Sequence, residues 1–208
     1  ICLLKNGQAL LSHHLGHLDD ALTWDEFLKA HADYQALFDH HPRLLACDLH
    51  PGYLATGFAE SLDLPIERVQ HHHAHLAACL GEHHWPRDAG PVAAVVMDGL
   101  GLGDDGSLWG GELLLGDYAD YTRVASLRPA ALVGGDAASR EPWRNLLMRL
   151  DQAGLGDLAD QWLAHQPRGL VRAAARQGLN APACSSVGRL FDAFAVALGL
   201  CRDTQSYE

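Results

Sequence analysis

No run of apolar residues in the chain approaches the roughly 20 that a membrane-spanning helix needs. Its start lacks a basic segment followed by an apolar one, so no secretory signal is expected. Positive charge is scarce: 15 lysines and arginines stand against 26 aspartates and glutamates, a formal net charge of −11. That balance excludes a non-specific nucleic-acid binder, which needs a basic face for phosphates, and disfavours an anionic membrane surface. Nucleic acid and membrane are therefore not expected partners. Cysteines number five, and no two form a CxxC pair. Cys2, Cys47, Cys79, Cys184 and Cys201 are expected as small buried residues of a reducing, cytoplasmic compartment. The 48% apolar and 20% charged composition is that of a globular chain able to bury a core without staples.

Histidine is what the chain has in plenty: six of its fourteen fall within "VQHHHAHLAACLGEHH", residues 69–84. Around that cluster the elements alternate. "ICLLKNGQALLSHH" reads as a hairpin turning at Asn6-Gly7. Thr23 with Glu26 forms a capping box for a helix to about His40, with Trp24, Phe27, Leu28, Tyr34, Leu37 and Phe38 on one face. "RLLACDLHP" reads as a short strand, residues 53–62 as a helix, "IERVQ" as a strand and residues 72–84 as a helix. "VAAVVMD" reads as a fully buried strand ending at Asp98, then turning through "GLGDDGS" into "LWGGELLLGD". From Arg140 on, the pattern is mainly helical, with breaks near 154, 167 and 182. Strands alternating with helices predict an α/β protein with a mixed sheet. Both ends resemble interior segments, so a longer parent protein is expected.

Four constellations carry chemistry. His71 and His75 are four apart, on one helical face, a spacing that lets two imidazoles reach one divalent ion. The alternative is a polar helix with solvated histidines. His72 and His73 point about 100° and 200° away and are expected outside that site. His13 and His17 share the spacing but follow a hairpin strand and read as surface; His83 and His84 suit a helix C-terminus. Asp98 stands at a strand end beside Gly99, Gly101 and Gly103, which either approach a phosphate or form a plain glycine-rich turn. Gly134 and Gly135 precede Arg140 and Arg144, which face an anion or solvent. Ser185 and Ser186 open an apolar helix whose Gly188 implies the close approach of a ligand or of another backbone, with Asp192 one turn on.

The segments "ACDLHPGYLATGFAE", "VQHHHAHLAACLGEH", "MDGLGLGDDGSLWGGELL", "GGDAASREPWR" and "SSVGRLFDAFAVALGL" resemble, in this order, the C-terminal part of the HypF family, the carbamoyltransferases of nickel–iron hydrogenase maturation. The resemblance runs from "CLLKNGQALLSHHLG" to "SYE". It implies the actin/Hsp70/sugar-kinase type of α/β fold, with mixed sheets flanked by helices and a metal and a nucleotide between two lobes. Residues 1–130 would form the first lobe, carrying the HxxxH motif, and 131–208 the start of a second, mainly helical one.

The resemblance further implies a divalent metal, zinc or iron, on His71, His75 and Asp98. A fourth ligand, an aspartate, is expected beyond residue 208. Asp98, Gly99 and Gly101 would border the phosphates, and Gly188 and Asp192 would contact the nucleotide, ATP or carbamoyl-adenylate. The implied reaction takes carbamoyl phosphate and ATP to carbamoyl-adenylate, then passes the carbamoyl group to the C-terminal cysteine of the partner HypE. None of the chain's own cysteines is needed; Cys79, one turn past His75, would be a neighbour of the site. The rival expectations are an actin-like ATPase or sugar-kinase-like phosphotransferase with structural histidines, and a non-catalytic interaction module.

Overall fold

The computed structural model describes residues 1–201 and 203–205. Arg202 and residues 206–208, which include the closing "SYE" of the resemblance, lie outside the described residues. The chain divides into two compact units, residues 1–69 and the part from Gln70 on.

In the first unit, Asn6 and Gly7 take φ of 53° and 75°. That is the left-handed pair a two-residue turn between twisted strands requires. Strand β1 (Cys2–Lys5) accordingly folds onto β2 (Gln8–Leu11), with Lys5 opposite Gln8. Helix α1 (Ala21–Leu37) begins before the expected capping box. Asp20 is its N-cap, and its carboxylate accepts from the backbone N–H groups of Leu22 and Thr23. A carboxylate that serves two orphan donors leaves Thr23 inside the first turn. Strand β3 (Leu45–Asp48), helix α2 (Leu54–Ser61) and strand β4 (Ile66–Val69) make a parallel βαβ unit, with Leu45 opposite Ile66. Phe58 of α2 meets Phe27 and His31 of α1 edge-on, at 5.5 and 5.0 Å between ring centres.

The second unit opens with α3 (His71–Glu82) and continues through β5 (Val92–Leu102), β6 (Leu108–Gly116) and β7 (Tyr121–Ser126). Next come β8 (Ala130–Ala131), α4 (Asp136–Arg140), α5 (Trp143–Gln152), α6 (Gly156–Trp162), α7 (Arg168–Gln177), β9 (Ala183–Cys184) and α8 (Val187–Ala197). Strand β6 is central. It pairs antiparallel with β5 and β7, and parallel with β9 at Leu108–Cys184; β8 joins β9 antiparallel. The result is the expected mixed α/β arrangement. Its helical core gathers Trp143, Leu146, Leu147, Leu163, Val171 and Ala193. No helix among the described residues is long and apolar enough to cross a membrane.

Three sequence expectations are corrected. Strand β5 is not fully buried: Val96 is buried, but Val95 and Met97 are 68% and 65% exposed, because an antiparallel sheet need cover only one face. Nor does β5 end at Asp98. It runs on to Leu102, with its register to β6 broken between Met97 and Gly101. Finally, Cys184 alone among the cysteines is buried, while Cys2 in β1 and Cys79 in α3 are exposed.

Gly188 shows why α8 carries a poor helix former in its first turn. A Cβ there would stand 2.9 Å from the Gly99 Cα and 3.4 Å from the Asp98 carbonyl. The close neighbour is therefore backbone. Gly188→Ala gains up to about 1 kcal/mol of helix propensity. It should nonetheless destabilise the fold by about 1–3 kcal/mol, because main chain must move to admit the methyl. Urea unfolding checks this: an alanine variant as stable as the parent would mean the bulge yields freely.

Candidate metal centre

Gln70 fixes the start of α3. Its side-chain oxygen accepts the His73 backbone N–H at 2.8 Å, and its amide nitrogen donates to the Leu102 carbonyl at 3.0 Å. The first helical turn is thus tied to the end of β5. His71 and His75 then share one face, with their Nε2 atoms 3.3 Å apart. Facing them is the bulge in β5, a device that re-aims a side chain. It turns Asp98 so that Oδ1 accepts the Gly99 N–H at 2.6 Å. Its Oδ2 lies 3.1 Å from His71 Nε2 and 3.9 Å from His75 Nε2.

These three donor atoms lie within 4.8 Å of one another. A tetrahedral centre with bonds of about 2.0–2.1 Å holds its donors roughly 3.3–3.4 Å apart, so the trio fits a zinc-sized ion with little adjustment. Asp98 Oδ2 is also buried without a hydrogen-bond partner among the described residues, a costly state for a carboxylate that a cation relieves. Burial pushes the Asp98 pKa up, but the contacts with His71, the Gly99 N–H and His75 outweigh it and hold the group below the usual carboxylate range. Asp98 is therefore ionised and ready to ligate.

His72 departs from expectation. Its ring is fully buried, with Nε2 3.6 Å from the same Asp98 oxygen. Side chains in a helix lean toward its N-terminus, so those of residues 71, 72 and 75 converge over the first turn even though their Cα positions diverge. Burial, opposed by Asp98, lowers the His72 pKa. The ring occupies space left by Gly101, where a Cβ would stand 2.5 Å from His72 Cε1. Gly103 likewise makes room for the Trp109 indole, whereas Gly99 faces open space.

Two further histidines of the cluster have other partners. His73 meets the Asp117 carbonyl at 2.8 Å and the Tyr121 ring. His83 caps α3 through the Cys79 carbonyl at 2.9 Å. His13 and His17 are exposed. Cys79 lies with its sulfur 3.9 Å from His83 Nδ1. Arg144 pairs with Glu141 at 2.5 Å and covers Trp143.

The start of α8 meets the back of the bulge. Ser186 caps the helix by accepting the Arg189 N–H at 3.0 Å, and its hydroxyl lies against the carbonyls of Asp98, at 3.1 Å, and Gly99. Asp192, one turn past Gly188, is held by Arg189 at 2.9 Å and Gln205 at 3.0 Å. Below them lies a group the sequence reading misses, the fully buried Glu112. It accepts from the N–H groups of Gly110 and Gly111 at 3.1 and 3.2 Å, from the Ser185 hydroxyl, and from Arg123 Nε at 2.7 Å.

Residues 94–208 match a family model described as the carbamoyltransferase, Kae1-like domain, second subdomain. Residues 1–82 match the HypF Kae1-like domain. The chain is 62% identical to Carbamoyltransferase HypF of Rhodobacter capsulatus over 100% of its own length and 29% of that protein's. It is 42% identical to Carbamoyltransferase HypF2 of Cupriavidus necator, over 100% and 26%. Among solved structures, full-length HypF in its phosphate- and nucleotide-bound form superposes with a TM-score of 0.91 at 33% identity, over 99% of this chain and 27% of that one. The chain thus spans less than a third of the length of each of these three proteins.

Proposed function

The chain belongs to the HypF carbamoyltransferases through their Kae1-like domain, and from that premise we propose that it contributes the site where a carbamoyl group changes carriers. The donor is carbamoyl-adenylate, formed from carbamoyl phosphate and ATP, and the acceptor is the C-terminal cysteine of HypE. His71, His75 and Asp98 would hold a divalent ion, zinc or iron, which would supply Lewis acidity toward the carbamoyl carbonyl or the adenylate phosphate. Gly99, with open space where a side chain would stand, lets the adenylate phosphate lie against the bulge. On the nucleotide side, Gly101 and Gly188 act by shaping the bulge, making room for the His72 ring and the Gly99 backbone, and Asp192 by holding Arg189. The thiolate sulfur bonds to the carbamoyl carbon as the carbon–oxygen bond to phosphate breaks, and AMP leaves with that electron pair. Full-length HypF, which shares this fold over 27% of its length, has been solved in a phosphate- and nucleotide-bound form, which supports nucleotide use by the whole protein.

The observation that carries this reading is a buried Asp98 oxygen that makes no hydrogen bond among the described residues and faces two imidazoles, at 3.1 and 3.9 Å. Its test is Asp98→Asn in the intact protein, which keeps the shape and removes the charge. Metal affinity, measured by chelator competition, should fall by tens-fold or more, on the order of 2 kcal/mol. Carbamoyl transfer to HypE should fall with it, while the thermal melt stays close to the parent's. Asp104→Asn, at the turn between β5 and β6, should change neither metal affinity nor transfer. An Asp98→Asn protein that binds metal as tightly as its parent would reduce Asp98 to a capping residue of the bulge.

A further inference from the structure

The hydrogen bonds around Gln70 determine which nitrogen of His72 carries the proton. Gln70 Oε1 accepts a backbone N–H, and Gln70 Nε2 donates to a backbone carbonyl, that of Leu102. Both partners have fixed polarity, so the amide has one permitted orientation. The second hydrogen on Nε2 is left for His72 Nδ1, 3.1 Å away, and that ring nitrogen is therefore the acceptor. A neutral imidazole that accepts at Nδ1 carries its hydrogen on Nε2.

That Nε2–H is buried and lies 3.6 Å from Asp98 Oδ2, and neither atom has a hydrogen-bond partner among the described residues. A donor and an acceptor, both buried and both unsatisfied, thus stand a few tenths of an ångström beyond hydrogen-bonding range. The other carboxylate oxygen is already taken by the Gly99 N–H at 2.6 Å. Oδ2 has two lone-pair directions, one for an ion on His71 and His75 and one for His72.

Resting on the metal reading above, we propose that His72 is a positioning residue. Gln70 holds it as an Nε2–H donor, and it fixes Asp98 as a ligand through a single oxygen. The run of three histidines then divides its work. His71, with His75 one turn on, offers lone pairs to the ion; His72 offers a hydrogen to the carboxylate; His73 serves the Asp117 carbonyl. Gly101 belongs to this arrangement because any side chain there would displace the His72 ring.

The experiment uses the intact protein with ¹⁵N-labelled histidine. In the metal-free state, the His72 ring, assigned by its absence in His72→Phe, should show the Nε2–H tautomer; the Nδ1–H tautomer would overturn the proposal. Zinc affinity by chelator competition should fall about 10- to 100-fold in His72→Phe. It should recover in His72→Gln, whose amide nitrogen can reach the place of the ring Nε2. Zinc bound as tightly by His72→Phe as by the parent, or no recovery in a folded His72→Gln, would also overturn it. A parent protein that takes up no zinc would fell the metal reading itself and the positioning role with it. Failure confined to His72 leaves parental zinc binding intact, so the two failures are told apart.

Discussion

His71→Ala combined with His75→Ala should strip the intact protein of its metal, while His13→Ala combined with His17→Ala should leave the metal content unchanged. Both pairs have the HxxxH spacing, so the comparison separates spacing from surroundings. His71 and His75 place their Nε2 atoms 3.3 Å apart, opposite a buried carboxylate; His13 and His17 are exposed. Removing both imidazoles leaves Asp98 as the sole ligand of the trio. Affinity should fall at least about a thousand-fold, roughly 4 kcal/mol. Asp98 then remains ionised and buried with fewer partners, so part of the loss should also appear as lower stability. Elemental analysis after dialysis against a chelator reads the first effect and a thermal melt the second. Equal metal retention by the two double variants would mean that the ion, if present, sits elsewhere.

The His71/His75 pair is legible in the sequence because helical periodicity alone puts i and i+4 on one face. Asp98 is legible too, but by a different route from the one that places it. An apolar run followed by Asp-Gly suggests a strand end, and the chain instead bulges and continues to Leu102. Both situations present a side chain out of the regular pleat, so the inference survives its mistaken premise. Gly188 signals a close approach, since a helix tolerates glycine there only for a reason. That the neighbour is the backbone of Gly99 needs the fold.

His72 and Gln70 are not legible. A helical wheel projects Cα directions and ignores the lean of side chains toward the N-terminus, and that lean brings the His72 ring to Asp98. The task of Gln70 depends on the Leu102 carbonyl, 32 residues away. The same limit applies at the start of α1. Asp20 and Thr23 are both good caps, and only the backbone shows that the carboxylate two residues before Leu22 takes the role.

Glu112→Gln should cost about 3 kcal/mol of stability at pH 7, the low end of the range for breaking a buried ion pair. In "LWGGELLLG" this glutamate interrupts an apolar strand, and it is fully buried. Its Oε1 takes hydrogen bonds from the backbone of Gly110 and Gly111 and from Ser185, which a glutamine oxygen could still accept. Its Oε2 accepts from Arg123 Nε at 2.7 Å. In glutamine that position is an N–H₂ group, which faces the arginine donor to donor. Arg123 keeps a second partner in Asp105 at 3.0 Å and stays over the Trp109 ring, which keeps the loss at the low end. The pH dependence follows from the charge. Burial pushes the Glu112 pKa up, but Ser185, Arg123 and the two backbone N–H groups outweigh it and hold the carboxyl below its ordinary value. A depressed carboxyl contributes stability above the unfolded-state pKa, about 4.3, and loses it as the pH falls through the folded-state value. The gap between parent and Glu112→Gln should therefore be widest near neutrality and narrow below about pH 4. Urea unfolding at pH 7 and at pH 3.5 reads both. A gap that stayed constant with pH would show that Glu112 acts through its shape and hydrogen bonds, with its charge contributing nothing.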